Sequence, residues 1–279
     1  MRYKVTVAYN GNNYVGFQSQ PNGPTIQDNI EKALKEIFHE DIRIIMASRT
    51  DAKVHAYGQV FHFDNDKEID PYRLKGALNS LTNKDIHVIK AEVVSKNFHA
   101  RFNVKNKTYK YLINIGEYDV FLDGFAYQCH YKLDLDLMKE GAKLYLGTHD
   151  FSSFNTTPYE DKFDQTRTIT EFKITRKKDL LTITVTGDGF LKNMVRIMVG
   201  TLIDLGRGKK TLADIENMLT VPNKKAVRYN ITGSGLYLYK IRYWSFMIFI
   251  FNFWNSSIDD SEMRMGMSNV HFANKWNVF

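Results

Sequence analysis

Residues 42–63 read IRIIMASRTDAKVHAYGQVFHF, two apolar stretches separated by the polar segment SRTDAKVHA at residues 48–56. The flanking stretches, 42–46 and 57–63, are rich in the β-branched and aromatic residues that favour strands. The segment between them is therefore predicted to be a loop at the edge of a sheet. Such a loop can present charged side chains from a rigid frame.

The sequence on either side extends these two strands into a larger unit. Residues 3–9 alternate in hydrophobicity as a strand does, and Thr25 with Asp28 forms the N-terminal signature of a helix that reaches residue 38. Pro71 favours a second helix over 71–81, and residues 86–94 supply a further strand. The predicted order β-α-β-β-α-β is that of a ferredoxin-like unit.

The second half of the chain repeats this topology without repeating the sequence. Its predicted elements are a strand at 108–115, a helix at 134–146, strands at 169–176 and 180–186, helices at 191–205 and 212–219, and a strand at 236–243. We therefore predict an α+β fold whose two ferredoxin-like (βαββαβ) halves form one extended, mostly antiparallel sheet flanked by helices.

Three regions follow from this organisation. Residues 1–103 form the N-terminal half with the Asp51 loop, residues 104–243 form the C-terminal half, and residues 244–279 form an aromatic-rich tail. The uncharged start of the tail is shorter than the ~18 apolar residues that a membrane-spanning helix needs. No function is indicated for the tail, and the sequence predicts a cytoplasmic protein with no membrane span.

The balance of charges points towards a polyanionic partner. The chain has 38 Lys and Arg against 31 Asp and Glu, a formal net charge of +7. Contacts between such cations and phosphates release counterions and favour nucleic-acid binding, although solvated surface lysines would give the same excess. The single cysteine, Cys129, allows neither an internal disulfide nor a zinc site.

Within the polar loop, two side chains suggest chemistry. Arg49 lies two residues before Asp51 and would favour the ionised carboxylate, while its planar cation suits phosphate or base contacts. The alternative is a simple turn in which Asp51 bonds its own backbone and Arg49 is solvated. The loop alone leaves both interpretations open.

Eight segments, in order along the chain, resemble the tRNA pseudouridine synthase A family. They are YVGFQSQPN at 14–22, RTDAKVHA at 49–56, GQVFHF at 58–63, FHARF at 98–102, KTYKY at 107–111, GTHDFSSF at 147–154, NMVRIMVG at 193–200 and GLYL at 235–238. The resemblance implies a pseudouridine synthase fold, isomerisation of uridine at tRNA positions 38–40 in the anticodon arm, and a homodimer.

The same resemblance implies roles for five residues. Asp51 matches the catalytic aspartate, and Tyr109 matches a tyrosine that stacks on the target uracil and helps to remove its C5 proton. Arg196 matches an arginine paired with the aspartate, Arg49 one that fills the gap left by the extruded base, and Leu236 an apolar wall of the pocket.

These residue types suit an isomerisation. The C1′–N1 bond breaks and the uracil rejoins through C5, with no redox change and no net hydrolysis, so neither cofactor nor metal is required. One ionised carboxylate can attack, stabilise or deprotonate the sugar, whereas ordinary glycosidases use two. Flipping the base costs roughly a few kcal/mol, which phosphate contacts must supply.

Several basic residues are candidates for those contacts. They are Lys105, Lys107, Lys110, Arg176, Lys177, Lys178, Arg207, Lys209, Lys210, Lys224, Lys225 and Arg228. Two residues depart from the family pattern: Lys53 and Ser48 both stand where glycine is common. If the glycine at position 53 has a positive φ, lysine there costs roughly 1 kcal/mol.

Two rival functions remain open from the sequence. A non-catalytic tRNA-binding or tRNA-folding protein is favoured by Lys53 and the tail, but it would not need Asp51, Tyr109 and Arg196 together. A carboxylate-dependent hydrolase or transferase of free nucleosides would lack the steep salt dependence of a tRNA enzyme.

Overall fold

The computed structural model describes residues 1–157, 164–221 and 231–244. Residues Met1–Tyr243 form one compact unit. The predicted tail, apart from its first residue, lies outside the described residues, as do Lys224, Lys225 and Arg228.

Ten strands and five α-helices make up the described fold. The strands are β1 (Arg2–Tyr9), β2 (Ile45–Met46), β3 (His55–Asp64), β4 (Ile86–Val94), β5 (Val104–Asn114), β6 (Tyr127–Gln128), β7 (Gly147–Asp150), β8 (Thr166–Lys177), β9 (Leu180–Gly187) and β10 (Leu236–Tyr243). The helices are α1 (Ile26–Phe38), α2 (Pro71–Leu81), α3 (Leu135–Leu144), α4 (Met194–Gly206) and α5 (Leu212–Thr220).

All ten strands belong to one sheet. Its main path runs β4-β1-β3-β10-β5-β9-β8-β7, with β2 paired to β3 and β6 paired to β5. Every pairing along that path is antiparallel except the one between β3 and β10. The predicted large, mostly antiparallel sheet flanked by helices is confirmed.

The sheet contains the same topology twice. The first half runs β1-α1-β2-β3-α2-β4 and the second runs β5-α3-β8-β9-α4-α5-β10, each with its fourth strand beside its first. The two halves meet where β10 lies parallel to the beginning of β3, with Tyr237 opposite His55 and Leu238 opposite Ala56. This parallel pairing, the join between the two halves, therefore places the residues that precede β3 at the middle of the sheet.

Local sequence explains where the helices begin. Thr25 caps α1 by accepting a hydrogen bond from the Asp28 backbone, as predicted. Asp70 caps α2 immediately before Pro71. Because these caps satisfy backbone N–H groups that lack partners inside the helix, the sequence fixes these helix starts well.

Three details differ from the sequence-based expectations. The strand predicted over 42–46 is reduced to Ile45–Met46. The helix predicted from residue 191 begins at Met194, because Asn193 before it has a left-handed backbone (φ 62). The short strand β7 (Gly147–Asp150) has no counterpart among the predicted elements.

Candidate active site

The loop that carries Asp51 packs against the loop that follows β1. Asp51 forms a backbone bridge with Gly16, and the Phe17 amide donates a hydrogen bond to the Thr50 carbonyl at 3.1 Å. Gly16 has φ +140, and a Cβ on it would lie 2.9 Å from the Thr50 oxygen, so the close approach needs glycine. The Thr50 side chain is held from the other side by the Tyr9 hydroxyl at 2.7 Å.

Lys53, two residues after Asp51, adopts the left-handed conformation with φ 63. The backbone around it is crowded: a Cβ on Gly11 would lie 2.1 Å from the Val54 oxygen, and one on Gly233 would lie 2.3 Å from the Ala52 oxygen. The sequence left open whether residue 53 has a positive φ, and the structure shows that it does. This conformation costs roughly 1 kcal/mol for a lysine.

Asp51, in the loop before β3, and Arg196, on helix α4, are brought together by the fold. Arg196 Nη1 lies 3.5 Å from Asp51 Oδ2. The guanidinium is oriented by two further hydrogen bonds at 2.6 Å, from Nε to the Ile231 carbonyl and from Nη1 to Asn193 Oδ1. The Arg196 side chain is 15% exposed and that of Asp51 is 34% exposed. The carboxylate therefore has a largely buried ion-pair partner and is itself partly open to solvent.

Tyr109, on β5, lies beside this pair and is only 6% exposed. Its hydroxyl is 2.9 Å from Ser48 Oγ, and its ring forms a T-shaped contact with that of Phe190, with the ring centroids 5.1 Å apart. Burial, assisted by the nearby Asp51 carboxylate, raises the pKa of Tyr109 to about 12 against the opposing effect of the Ser48 hydrogen bond. The phenol is therefore protonated at neutral pH.

Lys107, a candidate phosphate contact from the sequence, forms hydrogen bonds within the protein. Its ammonium donates to the Ala47 carbonyl at 2.9 Å and to Ser48 Oγ at 3.3 Å. Burial, with smaller effects of Arg101 and Arg167, lowers the pKa of Lys107 to about 8. One sequence signal could have associated Lys107 with Tyr109: the two residues are two positions apart, which places both side chains on one face of a strand.

The roles predicted for two further site residues rest on the family resemblance alone. Arg49 is exposed, and the structure records no ion pair for it among the described residues. Leu236 is 5% exposed at the beginning of β10, opposite Tyr111. Their roles in filling the base gap and lining the pocket stay predictions.

His55, at the end of the Asp51 loop, joins three separate segments. Its Nδ1 accepts a hydrogen bond from the Gly11 amide at 3.0 Å, which leaves Nε2–H to donate to the carbonyls of Gly124 at 3.0 Å and Ser234 at 3.1 Å. Its ring stacks on Tyr237 with centroids 4.7 Å apart. Burial lowers the pKa of His55, so this residue is a neutral structural link rather than a base.

The remaining basic candidates are partly engaged with the protein itself. Lys110 lies 3.5 Å from the centroid of the Tyr239 ring, and Arg207 lies 3.4 Å from that of Tyr131. Within residues 1–157, 164–221 and 231–244, no group of three or more His, Cys, Asp or Glu side chains is arranged to hold a metal ion. In the same described part, no helix is long and apolar enough to cross a membrane.

Comparison with known proteins defines the class. The sequence profile of a family described as tRNA pseudouridine synthase matches residues 5–103 and 142–244, well over half of the chain. The fold and this match together define an isomerase that converts uridine to pseudouridine in RNA.

Individual relatives narrow the assignment. Proteins named tRNA pseudouridine synthase A from Bacillus licheniformis and Bacillus subtilis are 44% and 42% identical, and each alignment covers 87% of this chain and 99% of the relative. One of the same name from Exiguobacterium is 43% identical over 87% of this chain and 98% of its own. The chain belongs to the tRNA pseudouridine synthase family, and it is an enzyme that isomerises uridine in tRNA.

Among solved structures, one titled as a Cbf5-Nop10-Gar1 complex matches 72% of this chain and 45% of its own chain. The TM-score is 0.34 and the sequence identity 12%, a level of similarity that does not bear on function.

Proposed function

We propose that Asp51 is the catalytic carboxylate of this tRNA pseudouridine synthase and that Arg196 maintains its ionised form. The observation that carries the proposal is the 3.5 Å pair between Asp51 and Arg196, in which the arginine has hydrogen bonds on its inner side and the carboxylate is open to solvent. An ionised carboxylate is what each route to C1′–N1 cleavage requires, whether it attacks the sugar, attacks the base or removes a sugar proton.

Tyr109 is the proposed platform for the uracil. After the C1′–N1 bond breaks, the base must turn within the site and present C5 to the sugar carbon without escaping. Stacking on a buried aromatic ring permits rotation while it retains the base. The C5 proton then leaves and N1 gains one, so a group beside C5 must accept a proton.

The approach of the tRNA involves both halves of the sheet. In this proposal, residues 1–103 supply the Asp51 loop and residues 104–243 complete the cleft with Tyr109 and Arg196. Arg49, which is exposed, fills the gap left by the extruded nucleotide, and Leu236 forms an apolar wall. The target uridines are at tRNA positions 38–40 of the anticodon arm.

The proposal includes a cytoplasmic homodimer in which one tRNA contacts both subunits. Sedimentation analysis of the tRNA-free protein tests the dimer: a mass of twice the chain supports it, and a mass of one chain at micromolar concentration contradicts it.

Tritium release from tRNA labelled with [5-³H]uridine tests the role of Asp51. We expect release by the natural protein and a loss of at least 10³-fold in Asp51→Asn, because the amide can neither attack nor accept a proton. Asp136→Asn, at an exposed carboxylate on α3, is the matched control and should retain full activity. Substrates with a single uridine at position 38, 39 or 40 locate the target.

Each outcome has a distinct meaning. Tritium release by both the natural protein and Asp51→Asn would show that Asp51 is not the catalytic carboxylate. Release only from uridines outside positions 38–40 would overturn the proposed target position. Intact tRNA binding without release by either protein would favour the alternative of a non-catalytic tRNA-binding or tRNA-folding protein.

A further inference from the structure

The side chains of Lys107, Ser48 and Tyr109 form a hydrogen-bonded network. Lys107 Nζ is 3.3 Å from Ser48 Oγ, and Ser48 Oγ is 2.9 Å from the Tyr109 hydroxyl. Lys107 also donates to the Ala47 carbonyl at 2.9 Å, which fixes its position. Ser48 and Tyr109 are buried and Lys107 is half-buried, so the network is largely shielded from bulk water.

Tyr109 cannot act as a base by itself at neutral pH. Its pKa of about 12 leaves only about one phenolate in ten thousand at pH 8. The charged and titratable groups that face it are Asp51, which disfavours the phenolate, and the buried Tyr9. To accept a proton, the phenol must pass its own hydrogen to a neighbour, and Ser48 is the hydrogen-bond partner that the described structure gives it.

Lys107 is able to change protonation state near neutral pH. Burial and the cationic neighbours Arg101 and Arg167 bring its pKa to about 8, so both the ammonium and the neutral amine are populated between pH 7 and 9. An ordinary exposed lysine would remain charged throughout this range.

The protonation state of Lys107 determines whether Ser48 can pass on a proton. An ammonium only donates, so Lys107 in that form cannot take the Ser48 hydrogen, and Ser48 cannot take up the phenol hydrogen without becoming charged. A neutral amine can accept from Ser48, which then accepts from the phenol and leaves a lone pair of the Tyr109 oxygen to receive a proton. The path from Tyr109 to Lys107 is therefore open only when Lys107 is neutral.

We propose that Lys107 and Ser48 are positioning residues that enable Tyr109 to accept the C5 proton of the uracil when Lys107 is neutral. This inference rests on the proposed function. The C5–H bond breaks, and its electron pair restores the C5=C6 double bond while N1 takes a proton from solvent. The C5 proton passes to the Tyr109 oxygen, the phenol hydrogen to Ser48 Oγ, and the Ser48 hydrogen to Lys107 Nζ.

Lys107 ends this step as an ammonium and returns a proton to water before the next turnover. Ser48 stands where glycine is common in the family that the loop resembles. A Ser48→Gly substitution therefore removes the hydroxyl without introducing an unfamiliar backbone residue.

Single-turnover tritium release at saturating enzyme, measured from pH 6.5 to 9.5, tests the proposal. For the natural protein we expect the rate constant to rise about tenfold between pH 7 and pH 9 as Lys107 loses its proton. In Lys107→Arg the cation cannot be deprotonated, and in Ser48→Gly the network is interrupted. In both variants the rate constant should change less than twofold over the same pH range.

Controls separate this proposal from simpler explanations. Lys173→Met, at an exposed lysine on β8, should keep the natural pH profile. Lys107→Arg retains the charge and should bind tRNA with a Kd within about twofold of the natural value, so a change confined to Kd would indicate a phosphate contact and overturn the proposal. A tenfold rise of the rate constant between pH 7 and pH 9 that persisted in either variant would also overturn the proposal.

Failure of the proposed function would be seen differently. It would appear as tritium release that is absent in the natural protein or unaffected by Asp51→Asn, whereas failure of this inference leaves that dependence on Asp51 intact and alters only the pH profiles.

Discussion

At the scale of single residues, Lys53 is the position where the backbone and the side chain disagree. Its φ of 63 lies in the region that favours glycine. We expect Lys53→Gly to raise the free energy of unfolding by about 0.5–1 kcal/mol, because relief of the strained backbone outweighs the greater freedom of glycine in the unfolded chain. Urea denaturation of the tRNA-free protein measures this directly.

Lys178 provides a matched control for that substitution. It has φ 54 in the turn between β8 and β9, distant in sequence from the Asp51 loop. Lys178→Gly should give a similar gain in stability. A gain at Lys178 without one at Lys53 would contradict the expectation and would mean that the Lys53 side chain contributes stabilising contacts that offset its strain.

At the scale of secondary-structure elements, α4 determines where Arg196 lies. The helix begins after Asn193, whose left-handed backbone (φ 62) ends the preceding loop and whose Oδ1 accepts from Arg196 Nη1 at 2.6 Å. Asn193 therefore sets both the start of the helix and the orientation of the guanidinium.

The two roles of Asn193 can be separated by substitution. Asn193→Gly tolerates the positive φ but removes the amide oxygen, so we expect stability within about 1 kcal/mol of the natural protein and a kcat lower by about tenfold or more. Denaturation and tritium release measure the two effects. An unchanged kcat would show that the contacts of Arg196 with Ile231 and Asp51 are sufficient to orient it.

The elements also show what the sequence could and could not predict. Helices with strong caps, such as α1 after Thr25, were predicted within a residue or so, because capping and periodicity are local properties. The strand β7 (Gly147–Asp150) was missed because it is four residues long and polar. The start of α4 was placed too early, since the left-handed backbone of Asn193 leaves no periodic signal.

At the scale of the whole molecule, the parallel pairing of β3 with β10 creates the site. It joins the two halves, and His55 connects Gly11, Gly124 and Ser234 across that join. The resemblance of the loop motif to a known family made Asp51 a candidate, but no local pattern indicates which strand of the second half lies beside β3. The hydrogen bonds of Lys107 to Ala47 and Ser48 likewise join residues distant in sequence, so the sequence offered Lys107 only as a candidate phosphate contact.

The folded molecule as a whole should be sensitive to mild acid because of its buried histidines. His62 is 1% exposed, and its Nδ1 accepts a hydrogen bond from the Ala100 amide at 3.1 Å. Burial, then the positive charges of Arg2 and His99, lowers the pKa of His62 from 6.5 to about 4. Between those two values the unfolded state binds more protons than the folded state.

The contribution of His62 to stability is therefore fully present above pH 6.5, falls as the pH decreases through the window, and is lost below about pH 4. We expect urea midpoints to decrease between pH 7 and pH 5, and to decrease less in His62→Asn, whose amide oxygen can still accept from Ala100 but does not titrate. His55 remains in the variant, so part of the decrease should persist. Identical slopes in the two proteins would place the acid sensitivity in other groups and contradict the role of His62.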